Sequence, residues 1–220
     1  MFKNIEAVIF DLDGTLIDSM GVWREIDIEF LGDRGIALPQ NLQKEIEGLS
    51  FDETARYFKS HFLLEESTEE MKKIWLSMAF EKYSKQIALK EGVKDFLKRL
   101  KEEKIPMAIA SSNHYDLIEA VLKKHEIFSF FDAIHTCDEV KRGKPAPDIY
   151  EFVAEKLQVK EKKCLVFEDI VPGILAGKSA GMKTCAVWDA YSTYQDDEKK
   201  SLADYYIENY RQIVPLLAEK

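Results

Sequence analysis

Apolar residues follow two rhythms along this chain. Unbroken apolar runs of four residues read as buried strands, Ala7-Val8-Ile9-Phe10, Met107-Ala108-Ile109-Ala110 and Cys164-Leu165-Val166-Phe167, and Lys183-Thr184-Cys185-Ala186-Val187 reads as the next strand. Ala133-Ile134-His135-Thr136 predicts a short strand, and Tyr205-Tyr206-Ile207 an edge strand. Between these runs the spacing changes to that of helices, with Val93, Phe96, Leu97 and Leu100 on one stripe and Leu117, Ile118, Val121 and Leu122 on another. Asp148 to Leu157 predicts a further helix, with Pro147 suited to its first turn. The segment after Asp169 carries Gly173, Ala176, Gly177, Ala180 and Gly181, small residues that let a helix approach a sheet closely. Strands alternating with helices predict an α/β fold built on a doubly wound parallel sheet.

One long stretch interrupts this alternation. Val22, Ile26 and Phe30, then Leu42, Ile46 and Leu49, then Phe51, Ala55, Phe58 and Phe62 recur at helical spacing. Ser67-Thr68-Glu69-Glu70 has the form of a capping box opening another helix with Ile74, Trp75 and Met78. Gly32, Gly35, Pro39 and Gly48 punctuate these segments. The expected organisation is an α/β core made of residues 1–17 and 85–220, with a four-helix-bundle domain, 18–84, inserted into it.

Composition narrows the partners. The 220 residues are 46% hydrophobic, enough for a proper core, and the formal net charge is −9 with no basic block, which argues against nucleic acid. No apolar run approaches a membrane span, and Met1-Phe2-Lys3-Asn4 does not begin a signal peptide. The three cysteines, Cys137, Cys164 and Cys185, are widely spaced, and the last two lie in apolar runs, as reduced core thiols do. The expected compartment is the cytoplasm and the default state a monomer.

Candidate chemistry collects at strand ends. Asp11 and Asp13 follow the first strand, in Asp11-Leu12-Asp13-Gly14-Thr15. Ser111-Ser112-Asn113 follows the second, where hydroxyls and helix N-terminal amides suit a phosphate, or where a serine simply caps the next helix. Lys144 lies in Gly143-Lys144-Pro145-Ala146-Pro147, and Glu168-Asp169 follows another buried run. The carboxyl ends of strands in such folds share one face, where ligands bind. Four acids gathered there cannot all ionise without a cation, and Mg²⁺, which favours oxygen ligands, fits best.

Asp-Leu-Asp-Gly-Thr after a buried strand resembles the first motif of the haloacid dehalogenase superfamily. The strand-Ser, Lys-Pro-x-Pro and strand-Glu-Asp segments are similar to its other three motifs, in the same order. Glu168-Asp169-Ile170, Gly173-Ile174, Ala176 and Ala180-Gly181-Met182 resemble the fourth motif of the β-phosphoglucomutase-like phosphatase branch, and the helical insert is similar to that branch's C1-type cap. The resemblance implies a Rossmann-like core and a phosphatase acting on a small phosphorylated metabolite. It implies Asp11 as the nucleophile that carries an aspartyl-phosphate and Asp13 as the acid/base. Ser111, Ser112, Asn113 and Lys144 are implied around the phosphate, with the backbone amides of Leu12 and Ser112 assisting. Mg²⁺ is implied on Asp11, Asp169, the backbone carbonyl of Asp13, and Glu168 directly or through water.

Activities within the family differ by residue. Dehalogenases lack the second acid, whereas Asp13 is present here. The related phosphomutases carry a cap Arg shortly after a Gly-x-Ser; here Gly48-Leu49-Ser50 is followed by Phe51 and Asp52, with no Arg before Arg56. That departure favours a phosphatase over a β-phosphoglucomutase-type mutase. A non-catalytic phosphoester-binding protein is a third reading, disfavoured because no motif acid is missing. Met20, Trp23 and Arg24 follow the first motif closely and are candidates to face the leaving group, as is His114 beside Asn113.

Overall fold

The computed structural model describes residues 1–216. Strands β1 (Ala7–Phe10), β2 (Met107–Ser111), β3 (Ala133–Thr136), β4 (Cys164–Glu168), β5 (Lys183–Val187) and β6 (Tyr205–Ile207) form one sheet in the order β3-β2-β1-β4-β5-β6. Every pairing is parallel. The expected α/β doubly wound sheet is therefore present, and Tyr205–Ile207 does occupy its edge. Strand order turns at β1, which pairs with β2 on one side and β4 on the other. Such a turning point opens a crevice beyond the carboxyl ends of the strands.

Alternation along the strands separates two apolar layers. On one face Val8, Phe10, Ile109, Leu165 and Phe167 pack with α5 (Val93–Glu102) and α6 (Tyr115–Lys124). Phe10 and Phe167 stack at 5.1 Å, and Phe96 of α5 meets both rings edge-on at 6.1 and 5.5 Å. On the other face Ala7, Ile9, Ala108 and Val166 meet α7 (Asp148–Leu157) and α8 (Val171–Ser179). The expected close approach occurs on α8: a Cβ at Gly177 would lie 2.9 Å from Thr184 Cγ2 on β5.

Between β1 and α5 the chain forms α1 (Met20–Gly32), α2 (Leu42–Ile46), α3 (Phe51–His61) and α4 (Thr68–Lys85). Ser67 and Ser50 each cap a helix through a reciprocal capping box. Helix α2 is little more than one turn; Gly48, at φ +77°, follows it and turns the chain into α3. Phe30, Phe51, Phe58 and Trp75 pack edge-to-face at 5.0–6.1 Å in the middle of these helices. A last helix, α9 (Asp196–Leu202), precedes β6. Among the described residues no helix is long and apolar enough to cross a membrane, and all three cysteines are buried and free.

Phe96 joins α5 to the sheet at zero exposure. Phe96→Ala is expected to lower unfolding stability by about 3–5 kcal/mol, read as a shift in the urea midpoint.

Candidate active site

The β1–α1 turn is shaped by what it must face. Asp11 continues β1, its N–H bonded to Phe167 O at 3.0 Å, and the next residues curl back so that Leu12 O accepts from the amides of Thr15, Leu16 and Ile17. Gly14 stands at φ +76°, and a Cβ there would lie 2.2 Å from Asp169 Oδ2. Only glycine meets both demands. Thr15 Oγ1 then donates to Asp169 Oδ1 at 3.1 Å, so the first turn is fitted directly to the end of β4.

Lys144 reaches under these strand ends with 3% exposure. Its Nζ lies 2.8 Å from Asp11 Oδ1 and 2.6 Å from Glu168 Oε1, and donates to Ala110 O at 3.1 Å. Burial disfavours the ammonium, but the Asp11 and Glu168 carboxylates outweigh it and hold its pKa well above the ordinary lysine value. Burial also pushes Glu168 up to about 7, Lys144 acting against it. Tyr150 of α7 donates to Glu168 Oε1 at 2.5 Å, while Glu168 Oε2 is buried with no partner. A Cβ at Gly173 would lie 2.0 Å from the Glu168 carboxyl, so that helix position is kept empty for the acid.

Asp11, Glu168 and Asp169 bring one carboxylate oxygen each to within 4.8 Å of one another. Asp169 is raised well above the usual carboxylate range by burial and by repulsion from Asp11 and Glu168. Three converging buried acids, one bearing an orphaned oxygen, form a donor set suited to a hard divalent cation. Asp13 does not place its carboxylate in this cluster. It accepts from Ser19 Oγ at 2.6 Å, from Asn113 Nδ2 at 2.8 Å and from the Tyr83 hydroxyl. Desolvation raises its pKa against those hydrogen bonds, with Asp11 adding to the rise.

A cavity of about 150 Å³ opens above these groups, between the strand ends and helices α1–α4. It brings together Asp11, Asp13, Ser111, Ser112, Asn113, Lys144 and Asp169, whereas Glu168 lies below its floor. Ser111 is buried and its Oγ accepts from Asn113 N at 3.1 Å; Ser112 Oγ donates to Gly48 O at 3.3 Å. Of the residues after the first motif, Met20 and Trp23 line the cavity; Arg24 is exposed outside it, and His114 instead caps α6 and packs edge-on to Phe51. Sequence reasoning did not find Ser19, Tyr83, Tyr150 or Thr15. Tyr83 is separated from Asp13 by 70 residues, and nothing in a helical stripe marks one aromatic as a hydrogen-bond donor.

A family model described as haloacid dehalogenase-like hydrolase matches residues 8–187. A phosphorylated carbohydrates phosphatase of Thermotoga maritima is 31% identical over 81% of this chain and 83% of its own. A fructose-1-phosphate phosphatase of Escherichia coli is 30% identical over 83% of this chain and 96% of its own. The crystal structure of CbbY from Rhodobacter sphaeroides in complex with phosphate superposes with a TM-score of 0.85 at 23% identity, covering 95% of this chain and 96% of that one.

The raised acids set the sign of a pH effect. Asp13, Glu168 and Asp169 have higher pKa values folded than unfolded, so the folded state holds more protons and stability falls as pH rises from about 4 to about 7. In chelator, Tm measured calorimetrically is expected to drop across that window. Added Mg²⁺ should raise Tm more at pH 7.5 than at pH 5, and Gly173→Ala, which displaces Glu168, should diminish that rise. A Tm indifferent to Mg²⁺ at both pH values would count against a cation on these acids.

Proposed function

This chain belongs to the haloacid dehalogenase-like hydrolases, and on that premise we propose that it is a Mg²⁺-dependent phosphatase of small phosphomonoesters, working through an aspartyl-phosphate on Asp11. The observation that carries the reading is the convergence of Asp11, Glu168 and Asp169 with Lys144 at one end of the sheet, beside a separately held Asp13. Phosphoryl transfer requires an in-line nucleophile, a proton donor for the leaving oxygen and charge compensation for the phosphoryl oxygens. Each requirement has a candidate group here.

The Asp11 carboxylate attacks phosphorus, and the bond from phosphorus to the ester oxygen breaks. Asp13, whose raised pKa favours the protonated form, gives its proton to the departing oxygen. The resulting Asp13 carboxylate then takes a proton from water as that water attacks the acyl-phosphate, freeing Asp11 and inorganic phosphate. Lys144 compensates charge at Asp11 and at the phosphoryl oxygens; Ser111, Ser112 and Asn113, with the backbone amides of Leu12 and Ser112, line the phosphoryl site. Mg²⁺ would be held by Asp11, Asp169, the Asp13 carbonyl and Glu168, and supplies charge neutralisation for the transferring group. Residues 18–84 act as a cap domain that limits bulk water over the site. The names of the relatives, which act on phosphorylated carbohydrates and fructose 1-phosphate, support a sugar-like metabolite as substrate.

The mutase reading needs a cation on the cap side to grip a second phosphate. Among the described residues lining the cavity the one cation is Lys144, on the core side. Arg56, like Arg24, is exposed outside the cavity. These positions favour hydrolysis over mutase chemistry.

Phosphate release from a panel of small phosphomonoesters, with Mg²⁺ and with chelator, tests the proposal. Wild-type release should require the metal; Asp11→Asn should abolish it, and Asp13→Asn should lower kcat by roughly 10²–10⁴. Metal-independent release, or wild-type rates from Asp11→Asn, would defeat it.

A further inference from the structure

Two of the acids lining the cavity beyond the strand-end cluster are already partnered. Glu47 accepts from Tyr194 and from Gln195 Nε2, and Asp189 pairs with Lys90 at 2.8 Å. Asp27 is different. It lies on α1 with 8% exposure, lines the cavity, and has no hydrogen bond or ion pair among the described residues. Its surroundings are apolar: Met20, Trp23, Ile46, Phe51 and Trp75 line the same space. Burial pushes its carboxyl up to about 7. Trp75 lines the cavity at 2% exposure, fixed among Phe30, Phe51 and Phe58, and its indole N–H is buried with no acceptor.

A carboxyl that is largely desolvated is costly to leave unpaired. Such costs persist where a ligand relieves them. Met20, Trp23 and Asp27 follow one another on a single face of α1, and Asp27 lies about 10 Å further along the helix than Met20. Asp27 therefore addresses a part of the substrate remote from the ester oxygen.

We propose that Asp27 is the leaving-group receptor: the pocket selects phosphomonoesters whose leaving group is uncharged and carries a hydroxyl remote from the phosphate, and it excludes those with a second anionic group. The inference deepens the phosphatase reading and rests on it. The distal hydroxyl donates to an Asp27 carboxyl oxygen. Aliphatic and aromatic walls cover the carbon faces of the leaving group. A phosphate or carboxylate in that position would meet Asp27 with no cation to offset it. A leaving group without hydroxyls leaves Asp27 unpaired, which is the arrangement that discriminates most strongly in buried sites.

Two esters of equal chain length separate the possibilities: D-glucitol 6-phosphate, and n-hexyl phosphate, which lacks every hydroxyl. The wild-type ratio of kcat/KM for the first over the second should exceed about tenfold, and Asp27→Leu should lower that ratio at least tenfold, chiefly through the KM of the glucitol ester. Asp27→Leu should also raise Tm, because it removes an unpartnered buried carboxyl; a residue serving only the packing of α1 would lower it. Calorimetric binding of both esters to Asp11→Asn, with and without Asp27→Leu, reads the same preference without turnover. A ratio unmoved by Asp27→Leu in rates and in binding, or fructose 1,6-bisphosphate bound as tightly as the glucitol ester, overturns the proposal. Absence of phosphate release by the wild type defeats the phosphatase reading instead, and the binding comparison still decides the role of Asp27.

Discussion

The Lys144 ammonium between Asp11 and Glu168 is the contact on which the site depends. Four carboxylates, Asp11, Asp13, Glu168 and Asp169, meet at the end of a buried sheet with one cation among them. Water screens them poorly there, and at an effective dielectric of 20 two charges 4 Å apart interact by about 4 kcal/mol, several times the worth of an exposed pair. The remaining imbalance surfaces in the raised pKa values of Asp13, Glu168 and Asp169 and in the orphaned Glu168 Oε2. A divalent cation answers both at once. The neighbouring glycines follow from the same crowding: positions 14 and 173 are bare because Asp169 and Glu168 occupy the space a side chain would fill.

Much of this was legible along the chain because strand runs, helix stripes and turn residues are local signals. β1, β2 and β4 lie where unbroken apolar runs stand, β5 covers Lys183–Val187 as expected, and α7 spans Asp148–Leu157 as its pattern predicts. The motif acids could be read together because open α/β sheets deliver the ends of their parallel strands to one face. Capping at Ser67 was equally readable, since a capping box needs only four consecutive residues.

What could not be read depends on which remote segment a side chain meets. Tyr83 looks like any aromatic in a helix, yet its hydroxyl serves Asp13 and its oxygen accepts from Trp23 Nε1 at 2.7 Å. Tyr150 sits in the apolar stripe of α7 and reaches through it to Glu168. Asp27 looks like a charge on a solvated helix face until α1 is packed against α4 and the face proves to be buried. Arg24 and His114, beside the motifs in sequence, are turned to other work. Proximity along a helix does not determine direction, and direction decided which of these residues met the cavity.

The position of β1 has a consequence for how the molecule comes into being. It is the first of the sheet's strands in chain order and an innermost one, hydrogen-bonded on one edge to β2 and on the other to β4. From the moment Ala7–Phe10 leaves the ribosome, its second edge waits for Cys164–Glu168, more than 150 residues later. Pairings of such long range fold slowly, and an apolar strand with an open edge is what other chains add to. Until the fourth strand of the sheet has been made, the nascent polypeptide therefore carries that edge of β1 unpaired.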